Sequence, residues 1–177
     1  MGIPIGVGTY PIDAAHSQLG FSLMHLGISA IRGTFDEYSG ELRVGGDLDD
    51  TSVTIDAEMA SINSGNSLRD ENVHAAEYLD VANHPRMSFH STSIAESDSG
   101  YALTGDLTIR SVTMPMTFDV AYNGEAIFPL DGSTHFGFTG RATISRSAFG
   151  VSHALDVISD EIDLILDVRF VRPPTDE

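Results

Sequence analysis

Residues 161–170, EIDLILDVRF, carry an apolar side chain at every second position from Ile162 to Phe170. The positions between them are charged, except that Ile165 interrupts the polar series. A period of two is typical of a β-strand with one buried and one solvated face. The same alternation covers residues 53–59 and 136–144. An all-β fold is therefore expected, in which the apolar series of each strand faces the interior.

Residues 101–122 contain a change of phase, because apolar side chains occupy odd positions up to Ile109 and even positions from Val112 onward. A shift of one residue moves every following side chain to the opposite face, so a turn or bulge is expected near Arg110. Pro115 has no backbone N–H to donate and needs a turn or an unpaired edge position. We therefore expect two strands joined at Arg110–Pro115.

One segment has helical spacing instead. Ser67 is a plausible N-cap, and Asp70 and Glu71 in the first turn would face the positive end of the helix. His84-Pro85 is expected to close the segment. The residues at helical spacing are Leu68, Asn72, Ala75, Ala76 and Leu79. The sequence thus predicts one short helix near residues 67–80.

About eight half-buried strands, with turns every 8–15 residues, fit either a sandwich or a barrel. The alternation alone leaves both open. The difference matters for function, because a barrel of eight strands is just wide enough to hold one small ligand. A close-packed core without a cavity is the alternative for the same apolar faces.

Charge is the unusual property of the composition. Twenty-six acidic residues face nine basic ones, all of them arginine, and the net charge is -17. Nucleic acid is excluded as an expected partner, because its phosphates require a basic surface. Permanent residence on an anionic membrane surface is disfavoured for the same reason.

The chain contains no cysteine, which excludes disulfides, thiolate metal sites and cysteine nucleophiles. No run approaches the ~20 apolar residues of a membrane helix, so stable membrane insertion is not expected. The start, MGIPIGVGTYPID, lacks a basic region followed by a long apolar one. A cytoplasmic location is therefore expected for the chain as it stands, and a periplasmic or secreted one if a signal peptide has been removed.

Motifs for catalysis and metal binding are missing from the sequence. The seven histidines are scattered singly, without the short spacings that fix two metal ligands at once. Asp47-Leu48-Asp49-Asp50 lacks the glycine and glutamate of a calcium loop. There is no G-x-S-x-G motif and no lysine for a Ser-Lys pair. No catalytic residue, metal site or catalytic cofactor is predicted.

Four strings in chain order resemble the YceI-like family of bacterial proteins. Residues 13–42 resemble the D-x-x-H-S, F-S, H-x-G and R-G-x-F elements with which that family opens. Residues 55–94 are similar to its strand–helix–strand unit, GDLTIRSVTMPMTFDV at 105–120 to its hairpin, and RSAFG at 146–150 to its R-x-x-F-G turn. The sequence departs from the family's usual residues at Asn72, Leu79, Ser111 and Met114.

The resemblance implies a lipocalin-like, extended antiparallel β-barrel of about eight strands, with the short helix over one opening. The barrel domain would cover residues 10–172, between an N-terminal tail at 1–9 and a C-terminal tail at 173–177. It also implies a ligand, namely a long-chain polyisoprenoid such as an isoprenoid quinone or a polyprenyl chain. A homodimer is a further expectation.

The phase of the alternation then predicts which side chains line the tunnel. We expect it to be lined by Phe21, Leu23, Ile55, Phe89, Leu107, Phe118, Phe138, Ile144 and Leu164. Arg69 and Asp70, beside the helix start, are candidates for the mouth, where arginine could contact a quinone carbonyl or a phosphate. A structural Arg–Asp pair that ties the helix to the barrel is the alternative role for these two residues.

Three functions of different classes remain open at this point. The favoured one is a non-enzymatic carrier that encloses the isoprenoid. An enzyme acting on an isoprenoid-like substrate would need two titratable groups inside the tunnel, for which His25 or His90 beside an acid would be candidates. A stress-associated structural barrel with a solid core is the third.

Overall fold

One antiparallel sheet of eleven strands dominates the computed structural model, which describes residues 2–174. The all-β, lipocalin-like prediction is confirmed, but the described residues form eleven strands and not about eight. Alternation could not reveal β1 and β6, because they have only four and two residues. The strands are β1 Gly8–Pro11, β2 Gln18–His25, β3 Ser29–Phe35, β4 Tyr38–Val44, β5 Ser52–Glu58, β6 Ile62–Asn63, β7 Arg86–Ser97, β8 Gly100–Ile109, β9 Val112–Ile127, β10 Thr134–Ser145 and β11 Glu161–Arg172.

The strands follow the order β1-β4-β5-β7-β8-β9-β10-β11-β2-β3-β6 across the sheet. The sheet curls until β1 approaches β11. At that point the Ile12 N–H donates to the Gly40 carbonyl at 2.9 Å, and the next N–H, of Asp13, donates to the Arg169 carbonyl at 2.7 Å. A bridge between Ile12 and Phe170 adds to this contact. The start of the chain thus joins β1 to β11, while β2, β3 and β6 continue the sheet beyond β11. The apolar faces enclose a common interior.

The register brings the inward side chains of neighbouring strands opposite one another. Leu164 of β11 pairs with Phe21 of β2, and Phe89 of β7 pairs with Leu107 of β8. Phe136 of β10 is fully buried. Cross-strand pairs of large apolar side chains on one face are what hold such a sheet together.

The hairpin between β8 and β9 is tighter than predicted. Its turn is confined to Arg110 and Ser111, and positive φ falls on Arg110, at 56°. Pro115 lies inside β9, opposite Asp106 of β8, while pairing of β9 with β10 covers only Asp119–Ile127 among the described residues. Proline is tolerated there because its side of the strand has no ladder partner. The predicted join at Arg110–Pro115 was therefore too long, and the edge position was the correct alternative for Pro115.

The helix α1, Ser67–Val73, is half as long as the predicted segment 67–80. Its N-cap is Asn66 and not Ser67, because the Asn66 side chain accepts the Arg69 N–H at 3.0 Å. After Val73 the chain turns back, and the Leu79 N–H donates to the Val73 carbonyl at 3.0 Å. Residues 74–84 consequently form successive turns, so His84-Pro85 does not end the helix. No helix within residues 2–174 has the length and apolarity needed to cross a bilayer.

The N-terminal segment contributes to the barrel more than a tail would. β1 begins at Gly8, and Ile5 is buried in the core, so part of the predicted tail 1–9 belongs to the folded unit. Short 3-10 turns lie at Ala14–His16, Met59–Ser61 and Ser147–Phe149 within residues 2–174. Of the predicted C-terminal tail, Pro173 and Pro174 are exposed and 175–177 lie outside the described residues.

Gly105 offers a test of the packing at the bulge between β7 and β8, where it pairs with Ser91. A Cβ atom at Gly105 would lie 2.5 Å from the His90 carbonyl oxygen and 2.5 Å from the Phe89 ring. We expect Gly105→Ala to lower the free energy of unfolding by about 1–3 kcal/mol, because neither backbone nor buried ring can move freely. Urea denaturation measures this. Gly46→Ala, with no atom within 4 Å of the new methyl, is the matched control and should be close to neutral.

Candidate binding cavity

Four cavities follow one another through the interior of the barrel. The mouth cavity, of about 460 Å³, lies under α1 and opens beside it. The second, third and fourth cavities measure about 130, 60 and 50 Å³. Phe21 and Ile158 are in the walls of both the mouth and the second cavity, Leu164 separates the second from the third, and Leu103 separates the third from the fourth. The cavities therefore form one interrupted path along the barrel.

The walls of the inner three cavities are apolar almost throughout. All nine side chains predicted from the alternation lie in a wall of this path. Their contact with a ligand stays a prediction. They are distributed as Phe21 and Leu23 at the mouth and second cavities, Ile144 at the second, Leu164 at the second and third, Phe89, Leu107 and Phe118 at the third, Ile55 at the third and fourth, and Phe138 at the fourth.

Arg69 and Asp70 hold the chain segment beside the mouth. Arg69 lies in the wall of the mouth cavity, and its Nε and Nη2 donate to the hydroxyl and carbonyl oxygens of Ser64, each at 2.7 Å. Asp70 accepts the Ser64 N–H at 3.0 Å and is outside that wall among the described residues. Both side chains thus fasten α1 to the end of β6, and the described residues form no salt bridge between Arg69 and Asp70. The geometry favours the structural role, although through Ser64 and not through a direct ion pair.

The remaining polar groups of the mouth come from segments that alternation does not describe. His25 and Ser29 flank the turn between β2 and β3, Asn72 lies on α1, and Tyr78 lies in the turns after it. Tyr78 packs edge-on against His153, with ring centroids 4.9 Å apart. The sequence signal for these positions was indirect: His25 and Tyr78 belong to the family strings, and Asn72 departs from them.

Arg146 is a buried cation at the wall of the second cavity, only 4% exposed. Its guanidinium donates to four backbone carbonyls, those of Val151, His153, Ile158 and Ser159, at 2.8–2.9 Å. Burial lowers the pKa of Arg146 below its usual value, and the charge of Asp160 opposes that change. The guanidinium stays charged, because arginine is not deprotonated in proteins. It therefore fixes residues 151–159 over the mouth.

Asp160 secures the other end of the same loop. Its carboxylate accepts the Ser145 hydroxyl at 2.6 Å and the Ser147 N–H at 2.8 Å. Hydrogen bonds from Ser145 and Ser147 lower the pKa of Asp160, and the charge of Arg146 adds to them. The ionised carboxylate is consequently the form that the fold stabilises.

No acid lines the path, as far as the described residues show. The walls of the four cavities include Arg146, Arg69 and His25 but no Asp or Glu, and His90 is exposed on β7. Within the described residues, His25 thus has no acid beside it in these walls, which is the pairing that the enzyme alternative named. Within residues 2–174, no group of three or more His, Asp or Glu side chains is placed to hold a metal ion.

One hydrogen-bonded cluster outside the path resembles a catalytic triad. The Ser133 hydroxyl lies 2.9 Å from His135 Nε2, and His135 Nδ1 lies 3.5 Å from the carboxylate of Asp13. The hydroxyl, however, donates to Asp131 at 2.6 Å, and Ser133 is 3% exposed. A nucleophile needs both access to substrate and a hydroxyl proton that the base can take. Ser133 has neither, so this cluster ties the β9–β10 connection to the start of the chain.

Together, the curled sheet and the apolar path define a lipocalin-like barrel with an internal cavity. The family model described as YceI-like domain matches residues 10–170. A UPF0312 protein of Staphylococcus aureus (strain USA300) is 32% identical over 164 residues, which cover 91% of this chain and 92% of the relative. The chain belongs to the YceI-like family.

Solved structures agree with this assignment at the level of the fold. The crystal structure of Burkholderia cenocepacia BcnA superposes with a TM-score of 0.77 at 22% identity, over 89% of this chain and 98% of that one. A Campylobacter jejuni YCEI protein gives 0.74 at 26% identity, over 92% and 96%. A polyisoprenoid binding domain from Saccharophagus degradans, implicated in plant cell wall breakdown, gives 0.69 at 14% identity, over 93% and 98%.

Replacing Arg146 tests whether its hydrogen bonds hold the mouth loop. We expect Arg146→Leu to lower the free energy of unfolding by about 2–4 kcal/mol, because four carbonyls lose their donor at once. Residues 150–159 should also become sensitive to limited proteolysis. Arg141→Leu, at an exposed arginine on β10, the strand that ends just before Arg146, is the control and should change neither property by much. Equal stability of the two variants would contradict this role of Arg146.

The hydrogen bonds of Asp160 predict a pH dependence. Its pKa is lowered in the folded state, so the stabilisation is present above the unfolded value of about 3.8 and is lost as the pH falls through the lower folded value. Asp160→Asn should reduce the melting temperature by a few degrees at pH 7. The difference from the unsubstituted protein should shrink below about pH 4. A difference that is independent of pH between 7 and 3 would contradict the assignment.

Proposed function

We propose that this protein is a non-enzymatic carrier that binds a long-chain polyisoprenoid lipid, such as an isoprenoid quinone or a polyprenyl chain. The tail occupies the path of cavities, and the head group stays at the mouth. The observation that carries the proposal is the path itself: four cavities in sequence, lined by apolar side chains and wide only at one end. A long apolar path that is widest at one end fits a chain-like molecule better than a compact one.

The inner cavities must widen to admit a chain. At about 50–130 Å³ each, they are smaller than the roughly 300–1,000 Å³ of typical ligand pockets. Met59 and Met87 line the second cavity, and an unbranched thioether side chain can change rotamer at small cost. Binding of the lipid would therefore merge the separate cavities into one continuous cavity. Part of the binding free energy would be spent on moving the side chains of the walls.

Apolar burial is large enough to make such binding strong. At about 0.8 kcal/mol for each CH₂, a five-carbon isoprene unit contributes roughly 3–4 kcal/mol. A handful of units would exceed the ceiling of about 18–21 kcal/mol for non-covalent affinities, so ordering of the chain and displacement of side chains must offset much of the sum. The tail thus supplies affinity in excess, and discrimination between ligands is left to the mouth.

The comparisons support the ligand class through the family and the fold. The Saccharophagus degradans domain is described as polyisoprenoid binding, and it shares this barrel. Its identity of 14% supports the fold alone, so the ligand of this chain rests on the cavity path and the family resemblance together. The apolar walls, free of carboxylates, favour a carrier over an enzyme that would act inside the same path.

Native mass spectrometry of the freshly purified protein, followed by denaturation and solvent extraction, tests the proposal. A stoichiometric species with isoprenoid mass spacing would support it and identify the ligand. A protein without ligand would then be incubated with a long-chain isoprenoid quinone. Failure to bind that quinone, and no retained lipid, would overturn the proposal in favour of a structural barrel.

Leu164 and Ile165 provide a matched pair for locating the ligand. Leu164 separates the second and third cavities, whereas Ile165, the next residue on β11, faces the other side of the sheet. We expect Leu164→Trp to block the path and to reduce quinone affinity by at least about tenfold, as measured by native mass spectrometry. Ile165→Trp adds the same ring on the outer face and should retain the affinity. If both variants bind equally well, the tail does not follow this path.

A further inference from the structure

Large apolar side chains are exposed around the mouth. Leu26 and Ile28, in the turn between β2 and β3, are 56% and 81% exposed, and Leu68 on α1 is 67% exposed. Leu155, between the mouth residues Ala154 and Val157, is exposed as well. These four residues, which we call the rim, lie on the same three segments that line the mouth cavity. A cluster of exposed apolar side chains on a soluble domain marks an interaction surface.

The backbone conformation of the β2–β3 turn does not explain why residue 26 is a leucine. Leu26 and Gly27 both have positive φ, 54° and 68°. Two consecutive residues of this kind are typical of a type I′ turn, for which Asn-Gly is the preferred pair. Leucine in the left-handed region is costly, and its side chain here is exposed. The leucine at this position is therefore better explained by what it contacts outside the chain than by the stability of the turn.

The distribution of charge indicates what kind of surface the rim could approach. In a chain of net charge -17, the two longest stretches without Asp or Glu are residues 14–35 and 132–155. The first contains the β2–β3 turn, and the second ends in the loop with Leu155, so the two meet at the mouth. Asp70 and Glu71 on α1, and Asp156 beside Leu155, are the acids closest in sequence to the rim. Elsewhere the chain would repel an anionic surface strongly.

We propose that the rim docks the protein reversibly on an electrically neutral lipid leaflet. Leu26, Ile28, Leu68 and Leu155 enter the boundary between head groups and acyl chains, and the mouth cavity then opens directly onto the lipid. A second copy of the chain bound to the rim would cover the mouth, and the two copies, each of net charge -17, would repel one another. A leaflet leaves the opening accessible to an apolar ligand. This docking goes beyond the proposed function, because it depends on the rim and not on which lipid the interior holds.

Vesicle co-flotation tests the docking with the whole chain. The probes are vesicles of phosphatidylcholine alone, and of phosphatidylcholine mixed with phosphatidylglycerol. We expect binding to phosphatidylcholine, and weaker binding to the anionic vesicles that recovers as salt screens the repulsion. Binding that is absent from phosphatidylcholine, or stronger on the anionic vesicles, would overturn the proposal.

Substitutions in the rim separate docking from folding. Leu26→Asn places the residue preferred in this turn, so it should keep or raise the melting temperature while weakening vesicle binding. Ile28→Ser and Leu68→Gln should each weaken it too, by about tenfold per residue. Leu130→Ser, at an exposed leucine in the connection between β9 and β10, is the matched control and should bind vesicles normally. Equal vesicle binding by the rim variants and the control would overturn the proposal.

Two further measurements distinguish the alternatives. Quinone binding in detergent solution should be unchanged in the Ile28→Ser variant, so a loss of vesicle binding together with retained quinone binding supports docking alone. Sedimentation velocity compares the association state of the protein and of the same variant without lipid. If the protein dimerises and Ile28→Ser makes it monomeric, the rim is an interface between copies of this chain and the proposal is overturned.

Discussion

The buried guanidinium of Arg146 determines the shape of the open end of the barrel. A cation inside an apolar interior needs acceptors, and residues 151–159 supply four carbonyls to it. The loop fixed in this way then holds the β2–β3 hairpin: the Leu26 N–H donates to the Val157 carbonyl at 2.7 Å, and the Ser159 N–H donates to the Met24 carbonyl at 2.9 Å. Two walls of the mouth therefore depend on one side chain, and the rim residues on both walls depend on it as well.

The interior combines this rigid mouth with an adaptable path. Leu164 and Leu103 divide the interior into separate cavities, and aromatic contacts such as Phe89 against Phe118, with centroids 5.4 Å apart, narrow the third one. Such contacts stabilise the barrel when no chain lies inside, because a large empty apolar cavity would cost stability. A ligand that pushes these side chains apart would replace their contacts with contacts to its own methylene groups. The barrel can thus be stable without a ligand and still accept a long one, because the side chains of its walls can rearrange.

The sequence predicted the fold class and the inward phase of β5, β8, β9, β10 and β11, because a period of two survives wherever one face is buried. The sequence-based prediction was wrong where two neighbouring residues could both fill the same structural role. Asn66 and Ser67 are both good caps, and only the structure shows that Asn66 bonds the Arg69 N–H. Arg146 was not recognised as a buried residue, although it continues the inward even-numbered series of Phe136 to Ile144. The sequence signal for this burial was a charged residue at a position that the alternation turns inward. Its hydrogen-bond partners could not be predicted, because they are four main-chain carbonyls and the pattern of side chains carries no information about them.

The strong negative charge and the apolar mouth make opposite demands on a carrier of lipids. Charge keeps the protein dispersed and would hold its acidic surface away from anionic membranes. An apolar ligand, however, has to pass between a leaflet and the barrel, and each step through water would cost it roughly the transfer free energy of its exposed methylenes. The two longest acid-free stretches both reach the mouth, and this weakens the conflict there. In the proposed docking, contact would occur through a small apolar rim, and the charge of the remaining surface would favour release once the ligand has moved.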